Sequence, residues 1–200
     1  MPIERFDIAG EKVRLRPIKA ADADVSYGLF KNEAILSQTS TDGPKDIDEE
    51  KDIYRRLETE HQNSRNIYLA IEQIPSLQFI GSIAARFRVH PHQADIGYWI
   101  GEPYWNHGYM TEAIRLVCHV CFKHLDVNKV YATVFVGNSA SRRVLEKNGF
   151  SVDGTLRRHL RKRGTWKDAW FLSLLREEWQ DRKDYYLPRF EDIVVKKDAS

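Results

Sequence analysis

A run of apolar residues, Ile96 to Ile100, leads through the turn Trp105-Asn106-His107-Gly108-Tyr109-Met110-Thr111 into an amphipathic helix beginning near Thr111. A strand that feeds directly into a helix commits the chain to mixed α/β packing, with the helix returning over a sheet. The same junction builds a place for an anion. The first N–H groups of a helix have no partner within it, and the helix dipole adds partial positive charge there. A pyrophosphate suits such a turn. Two familiar phosphate loops fail to match. A P-loop needs a second glycine, then Lys and Ser or Thr, whereas Gly108 stands alone and no Lys follows. The three-glycine dinucleotide fingerprint is missing as well.

The remaining numbers restrict the class. A chain of 200 residues with 42% hydrophobic and 30% charged side chains fits one globular domain. A net charge of +2 gives no global case for binding nucleic acid or a membrane. The stretch Met1 to Gly10 is too polar for a signal peptide and no apolar run reaches spanning length, so a cytoplasmic location is expected. The two cysteines form Cys118-x-x-Cys121, with His119 and His124 nearby. Ile114, Val117, Cys118, Cys121 and Leu125 fall on one helical stripe, so the thiols are expected in the core. A zinc site would want a second Cys/His pair, and none is visible; no metal is expected.

Hydrophobic period and turn residues predict an order of elements. Val13–Arg16 reads as a strand ended by Pro17, and Asp22 as the cap of a helix carrying Val25, Leu29 and Phe30. Ser37–Lys45 reads as a loop, and Asp46–His61 as a helix with a narrow stripe at Ile53 and Leu57. Strands are predicted over 66–71, 79–89 and 94–100, then the helix Thr111–Leu125 and the strand 129–136. A helix over Ser139–Lys147 with Gly149 beyond its end precedes a hairpin, 151–161 and 165–175, turning at Arg163-Gly164. The reading gives a single domain, 1–200, with a core over 13–179 and a polar, partly mobile tail over 180–200.

Several stretches in this order resemble the GNAT superfamily of acyl-CoA-dependent N-acyltransferases, in particular its RimJ/RimL-like branch. They are Leu15-Arg16-Pro17, Asp95–Ile100, Tyr104–Ala113, Asn138–Phe150 and Leu174–Trp179. The resemblance implies a mixed α/β fold. A mostly antiparallel sheet of six to seven strands, with a splayed pair in the middle, is flanked by about four helices. It implies that acetyl-CoA is the co-substrate. The backbone amides of Trp105, Asn106, His107, Gly108, Tyr109, Met110 and Thr111 would hold its pyrophosphate. The backbone of Tyr98, Trp99 and Ile100 would hold the pantetheine and acetyl carbonyl, Asn138 the cofactor arm, and Arg142, Arg143 or Lys147, with an arginine favoured and Arg143 preferred, a phosphate. Gly108 would be needed because a Cβ would crowd the phosphate. The family pattern Gln/Arg-x-x-Gly-x-Gly/Ala is broken at Trp105 and Met110. Met110 must therefore turn away from the phosphate.

The resemblance also locates the chemistry. Where many members carry a Tyr acid this chain has Leu145, and Ser141 becomes the expected proton donor to the thiolate. Asp95 matches the position of a catalytic glutamate in some members, with Glu102 and Glu33 as weaker candidates for a base. An amine that arrives deprotonated would need no base. The expected acceptor is the N-terminal α-amine of a protein or peptide, of ribosomal-protein type. Two alternatives stay open. A small amine or polyamine would favour a carboxylate-lined cleft, for which Glu33, Asp46, Asp48, Glu49 and Glu50 are available. A non-catalytic CoA-binding or RNA-associated protein would use the basic run Arg157–Arg163. Contact with nucleic acid is otherwise expected only through the ribosome. Edge-strand pairing would allow a homodimer.

Overall fold

The computed structural model describes residues 3–195, without the side chain of Glu4. Among the described residues, nine strands form one sheet in the order β7-β8-β6-β5-β4-β3-β2-β1-β9. The strands are β1 (Ile3–Ala9), β2 (Val13–Pro17), β3 (Ile67–Gln73), β4 (Gln78–Arg86), β5 (Gln93–Ile100), β6 (Lys129–Phe135), β7 (Ser151–Lys162), β8 (Thr165–Leu175) and β9 (Phe190–Val195). The α-helices are α1 (Ala23–Phe30), α2 (Glu33–Leu36), α3 (Ile47–Asn63), α4 (Tyr109–His124), α5 (Ser139–Lys147) and α6 (Arg176–Gln180). All neighbouring strands are antiparallel except β5 and β6, which α4 connects. The mixed α/β fold expected from the sequence is present, with more strands and helices than expected.

Strand alternation explains why helices cover both faces. Ile67, Leu69, Ile71, Ile83 and Ala85 face the main core with α4, whereas Tyr68 packs on the other side with Ile18, Ala23 and Tyr54. The α4 stripe is as predicted. Cys118 and Cys121 are both free and buried, and burial pushes the Cys121 thiol up to about 12. Arg163 (φ 46°) and Gly164 (φ 79°) form the two-residue turn of the β7–β8 hairpin, a geometry suited to right-twisted strands.

Four expectations need correction. The buried stripe of α3 is Glu50, Tyr54 and His61 rather than Ile53 and Leu57, which are only partly buried. Glu50 tolerates this because Ser26 Oγ donates to its Oε1 at 2.6 Å. Asp22 precedes α1 but does not cap it; its carboxylate accepts from Lys19 N–H and from Arg16. The strand expected over 79–89, β4, ends at Arg86 rather than Val89, which is exposed ahead of Pro91. The tail beyond residue 180 is ordered structure as far as 195: Tyr186 is fully buried and β9 pairs with β1. Residues 196–200 lie outside the described part.

Two charged clusters tie the N- and C-terminal strands down. Arg16 meets Asp22 with two hydrogen bonds, 2.7 and 2.8 Å, and Glu72 with a third at 2.6 Å. Removing the guanidinium leaves the largely buried Asp22 without a cation and Glu72 with only Arg14, at 3.6 Å. Arg16→Ala is therefore expected to lower stability by about 3 kcal/mol, read by urea denaturation. Lysine should restore only part, because it lacks the planar fork.

Glu191 on β9 accepts from buried His119 at 2.6 Å and from Lys123 at 2.5 Å, while His124 lies 3.4 Å away. Burial pushes the Glu191 carboxyl up, but the hydrogen bonds from Lys123 and His119 outweigh it and hold the group at about 2. A lowered folded pKa adds stability above the unfolded value of ~4.3 that disappears as pH falls towards the folded one. Acid titration of unfolding is expected to show this loss in the wild type and to be flatter in Glu191→Gln.

Candidate active site

The parallel pair β5/β6 explains why a cleft exists. It is joined only at Gln93–Lys129, Ala94–Val130 and Asp95–Tyr131. Beyond Asp95 the strands diverge, and on that side β5 has no ladder partner from Ile96 to Ile100. Backbone polar groups there are available to a ligand. A cleft of about 730 Å³ opens at the splay. It is walled by the end of β5, the first turns of α4 and α5, and the segment through α2. Twelve of the fourteen sequence-predicted site residues line it: Tyr98, Trp99, Ile100, Trp105, Asn106, Gly108, Tyr109, Met110, Thr111, Asn138, Ser141 and Arg143. His107 and Asp95 do not.

The turn is shaped by left-handed backbone. Gly108 caps α4 at φ +82°, and Asn106 sits at φ +64°. Gly108 is thus required by conformation as well as by space, a reason additional to the one expected from crowding. Trp105, where the family pattern has Gln or Arg, donates its indole N–H to Ile100 O at 2.9 Å and fastens the turn to the strand end. Met110 turns away from the cleft mouth into the main core, as its size demanded. The His107 ring stacks on Tyr109 at 5.5 Å and its carbonyl accepts from Lys12 Nζ at 3.0 Å.

A residue the sequence reading passed over holds this turn. Glu112, in the first turn of α4 and mostly buried, accepts the backbone N–H groups of Glu11, Lys12 and Val13 at 3.0, 2.7 and 2.8 Å. A Cβ on Gly10 would lie 2.5 Å from that carboxyl carbon, so the β1–β2 turn closes on Glu112 only with glycine there. No local pattern announces a contact between residues about a hundred positions apart.

The N-terminus of α5 faces the turn. Asn138 Oδ1 accepts from Ser141 N–H at 3.0 Å and so caps α5, which leaves its amide nitrogen for another partner. Ser141 Oγ lies 2.7 Å from the Tyr98 hydroxyl. Burial raises the Tyr98 pKa, so the phenol stays protonated and can donate to Ser141. Leu145 is fully buried in the main core, so its position carries packing. Of the two arginines, Arg142 is engaged with Glu146 at 2.7 Å and over the Trp170 ring, whereas Arg143 is exposed on the cleft wall.

The carboxylates sit elsewhere. Asp95 shares a face with Gly97 and Trp99, as alternation predicts, and pairs with Arg86 at 2.8 Å. Burial raises its pKa, and Arg86 and Arg88 oppose that rise. Gly97 makes room for the pair, because a Cβ there would lie 2.7 Å from Arg86 Nη2. Glu33 pairs with Arg163 at 2.7 Å, and Glu102 accepts from Asn32 at 2.5 Å. Lys162, mostly buried, meets Asp42 at 3.2 Å. The tip of the basic run is therefore stitched to the loop around α2 rather than presented as a free patch.

The strand splay, the left-handed glycine and the unpartnered amides at the start of α4 fit a pyrophosphate followed by an extended arm. Residues 12–151 match the family model described as an acetyltransferase (GNAT) domain. The uncharacterized N-acetyltransferase YoaA of Bacillus subtilis is 28% identical over 167 residues, covering 83% of this chain and 94% of that protein. The putative ribosomal N-acetyltransferase YdaF of B. subtilis is 33% identical over 138 residues, covering 66% and 74%. The crystal structure of spermidine N-acetyltransferase from Vibrio cholerae with CoA and spermine superimposes with a TM-score of 0.73 at 19% identity, covering 84% and 98%. This chain belongs to the GNAT family: it is an N-acetyltransferase with acetyl-CoA as donor.

Proposed function

We propose that this enzyme acetylates the N-terminal α-amine of a protein or peptide, as a RimJ/RimL-like member of the family working in the cytoplasm. One observation carries the choice of acceptor. Among the described residues, no Asp or Glu lines the cleft. A polyamine with several positive charges calls for carboxylates, and the nearby ones, Glu33 and Glu102, are already engaged by Arg163 and Asn32. The likeness to YdaF points the same way; the fold is shared with a spermidine enzyme, so fold alone does not choose. The stitching of Lys162 and Arg163 into ion pairs counts against a role in binding RNA. Among the described residues no helix is long and apolar enough to cross a membrane.

The residues divide the work as follows. Acetyl-CoA supplies a thioester-activated acetyl group. The first amides of α4 and Arg143 hold its phosphates, and the unpaired backbone of β5 holds its arm and acetyl oxygen. An N–H aimed at that oxygen lowers the barrier by ~3 kcal/mol. The neutral amine attacks directly in a ternary complex, a C–N bond forms and the C–S bond breaks. Tyr98 donates to Ser141 Oγ, which turns the serine proton toward the departing sulfur, and the proton that the sulfur takes is returned to the pair from solvent water. Asp95 is held by Arg86 outside the cleft, so the amine sheds its proton to water. An α-amine, with pKa ~7.7–8.0, can do this near neutrality; a side-chain amine at ~10.4 cannot do so readily.

The test is the rate of thiol release from acetyl-CoA with α-amine peptides and with spermidine, measured against pH. A peptide preference with kcat/KM levelling near pH 8 is expected. A preference for spermidine would overturn the acceptor reading, and CoA binding without acetylated product from any amine would favour a non-catalytic protein.

A further inference from the structure

We propose that His119, His124 and Glu191 form a binding site for a divalent transition ion of the zinc class, which clamps the C-terminal strand β9 onto α4. The two histidines stand on the last turns of α4 and the glutamate at the start of β9. One ligand atom from each lies within 4.8 Å of the others. Two imidazoles and one carboxylate are a donor set that zinc accepts, with a fourth position left for water. His119 stands about 16 Å along α4 from the phosphate turn, at ~1.5 Å per residue. The inference is therefore independent of where acetyl-CoA lies.

Hydrogen bonding inside the cluster leaves it unfinished. Nε2 of the buried His119 lies 2.6 Å from Glu191 Oε2, and Lys123 Nζ donates to Glu191 Oε1 at 2.5 Å. His124 Nε2 is 3.4 Å from that same Oε1, yet it is buried and has no hydrogen-bond partner among the described residues. A polar atom buried without a partner calls for an ion or a water. An ion with bonds of ~2.0–2.1 Å at tetrahedral angles holds its donors ~3.3 Å apart. The His124–Glu191 separation already matches, and His119 must draw back from Glu191 by ~0.7 Å.

Lys123 is the competitor. Its ammonium pairs with Glu191 in the metal-free protein, and its side chain is 47% exposed, so it can swing into water when an ion takes the carboxylate. On binding, His119 exchanges its Nε2 proton for one on Nδ1, which is buried without a partner among the described residues. Metal-bound histidines usually have an acceptor there, worth ~10–100-fold in affinity. The expected Kd for zinc is therefore about micromolar, weaker than in structural zinc modules. Two imidazoles favour zinc, cobalt, nickel and copper over magnesium and calcium, which take oxygen ligands. Cys118 and Cys121 take no part, since both are buried in the main core. Counting Cys and His along the chain misses the third donor, because it is a carboxylate on the last strand.

The experiment uses the untagged full chain, stripped with a chelator, then titrated calorimetrically with zinc chloride and spectroscopically with cobalt chloride. One equivalent of zinc should bind and raise Tm by about 5–10 °C at about a hundred times its Kd. Magnesium chloride should leave Tm unchanged. Cobalt should give the visible bands of a four- or five-coordinate site without the charge-transfer band of a thiolate. His124→Gln and Glu191→Gln should each weaken zinc binding at least ~100-fold, since a direct ligand matters no less than a group behind it. Melting curves of the metal-free variants check that they fold; His124 Nε2 has no partner to lose, and glutamine keeps an acceptor for Lys123. His90→Gln/His92→Gln, which removes the neighbouring histidine rings of the β4–β5 turn, should bind zinc as the wild type does. No binding by the folded wild type at millimolar zinc, or undiminished binding by His124→Gln and Glu191→Gln, would overturn the proposal. So would a thiolate band, or loss of binding in His90→Gln/His92→Gln.

Discussion

Replacing Gly108 with valine is expected to raise the Kd for acetyl-CoA at least ~100-fold while the protein stays folded. At φ +82° a β-branched side chain is strained, typically by ~1–3 kcal/mol. The turn can relieve that strain only by rotating out of the left-handed region. Rotation takes the amides of Tyr109, Met110 and Thr111 off their common target. Each charge-assisted hydrogen bond lost is worth ~1.5–3 kcal/mol, so losing even two reaches the expected figure. Lys12 Nζ, 3.3 Å from the new Cβ, would also be pushed. Gly108→Ala should weaken binding less, since alanine tolerates this conformation better. Calorimetry with a melting curve separates a binding defect from unfolding. A Gly108→Val protein that binds acetyl-CoA normally would remove the turn from the binding site.

Ser141→Ala is expected to lower kcat ~100-fold with little change in KM for acetyl-CoA. Proton donation by a positioned group is commonly worth ~10²–10⁴. The low end applies here, because a thiol with pKa ~8.5 is a tolerable leaving group even unassisted. Tyr98→Phe should cost less, since Ser141 keeps its own proton and loses only the partner at 2.7 Å that orients it. Stopped-flow detection of free thiol checks both. Unchanged kcat in Ser141→Ala would leave its hydroxyl a local helix-terminus group.

The legible and illegible parts of this chain separate by distance along it. The turn at Gly108, the α4 stripe through Cys118 and Cys121, the Asn138 cap and the Arg163-Gly164 hairpin are each set by residues within about one helical turn or one strand. Local pattern is enough for these. Strand β1 was readable in principle, since Phe6 and Ile8 are buried at period two, but the register shift near Ile3 and the charges at Glu4, Arg5 and Asp7 break the run. Strand β9 carries Glu191 and Asp192 ahead of its apolar end, and it is held through His119 and Lys123 on α4. That support lies some seventy residues away. The same applies in the cleft. The Tyr98–Ser141 contact, the Glu112 grip on residues 11–13 and the capture of Asp95 by Arg86 all join separate elements. Matching Asp95 to a family position said where the residue stands in a strand, not which neighbouring strand would present an arginine to it.

The most direct test of the central claim mixes enzyme, acetyl-CoA and a peptide with a free N-terminus. Released thiol and N-terminally acetylated peptide are quantified together, with the peptide mapped by mass spectrometry. Transfer through the splayed cleft to an α-amine predicts equal amounts of thiol and acetyl-peptide, modified at the N-terminus alone and sharply reduced by Gly108→Val. Thiol release without acetyl-peptide, acetylation confined to lysine side chains, or full activity in Gly108→Val would contradict it.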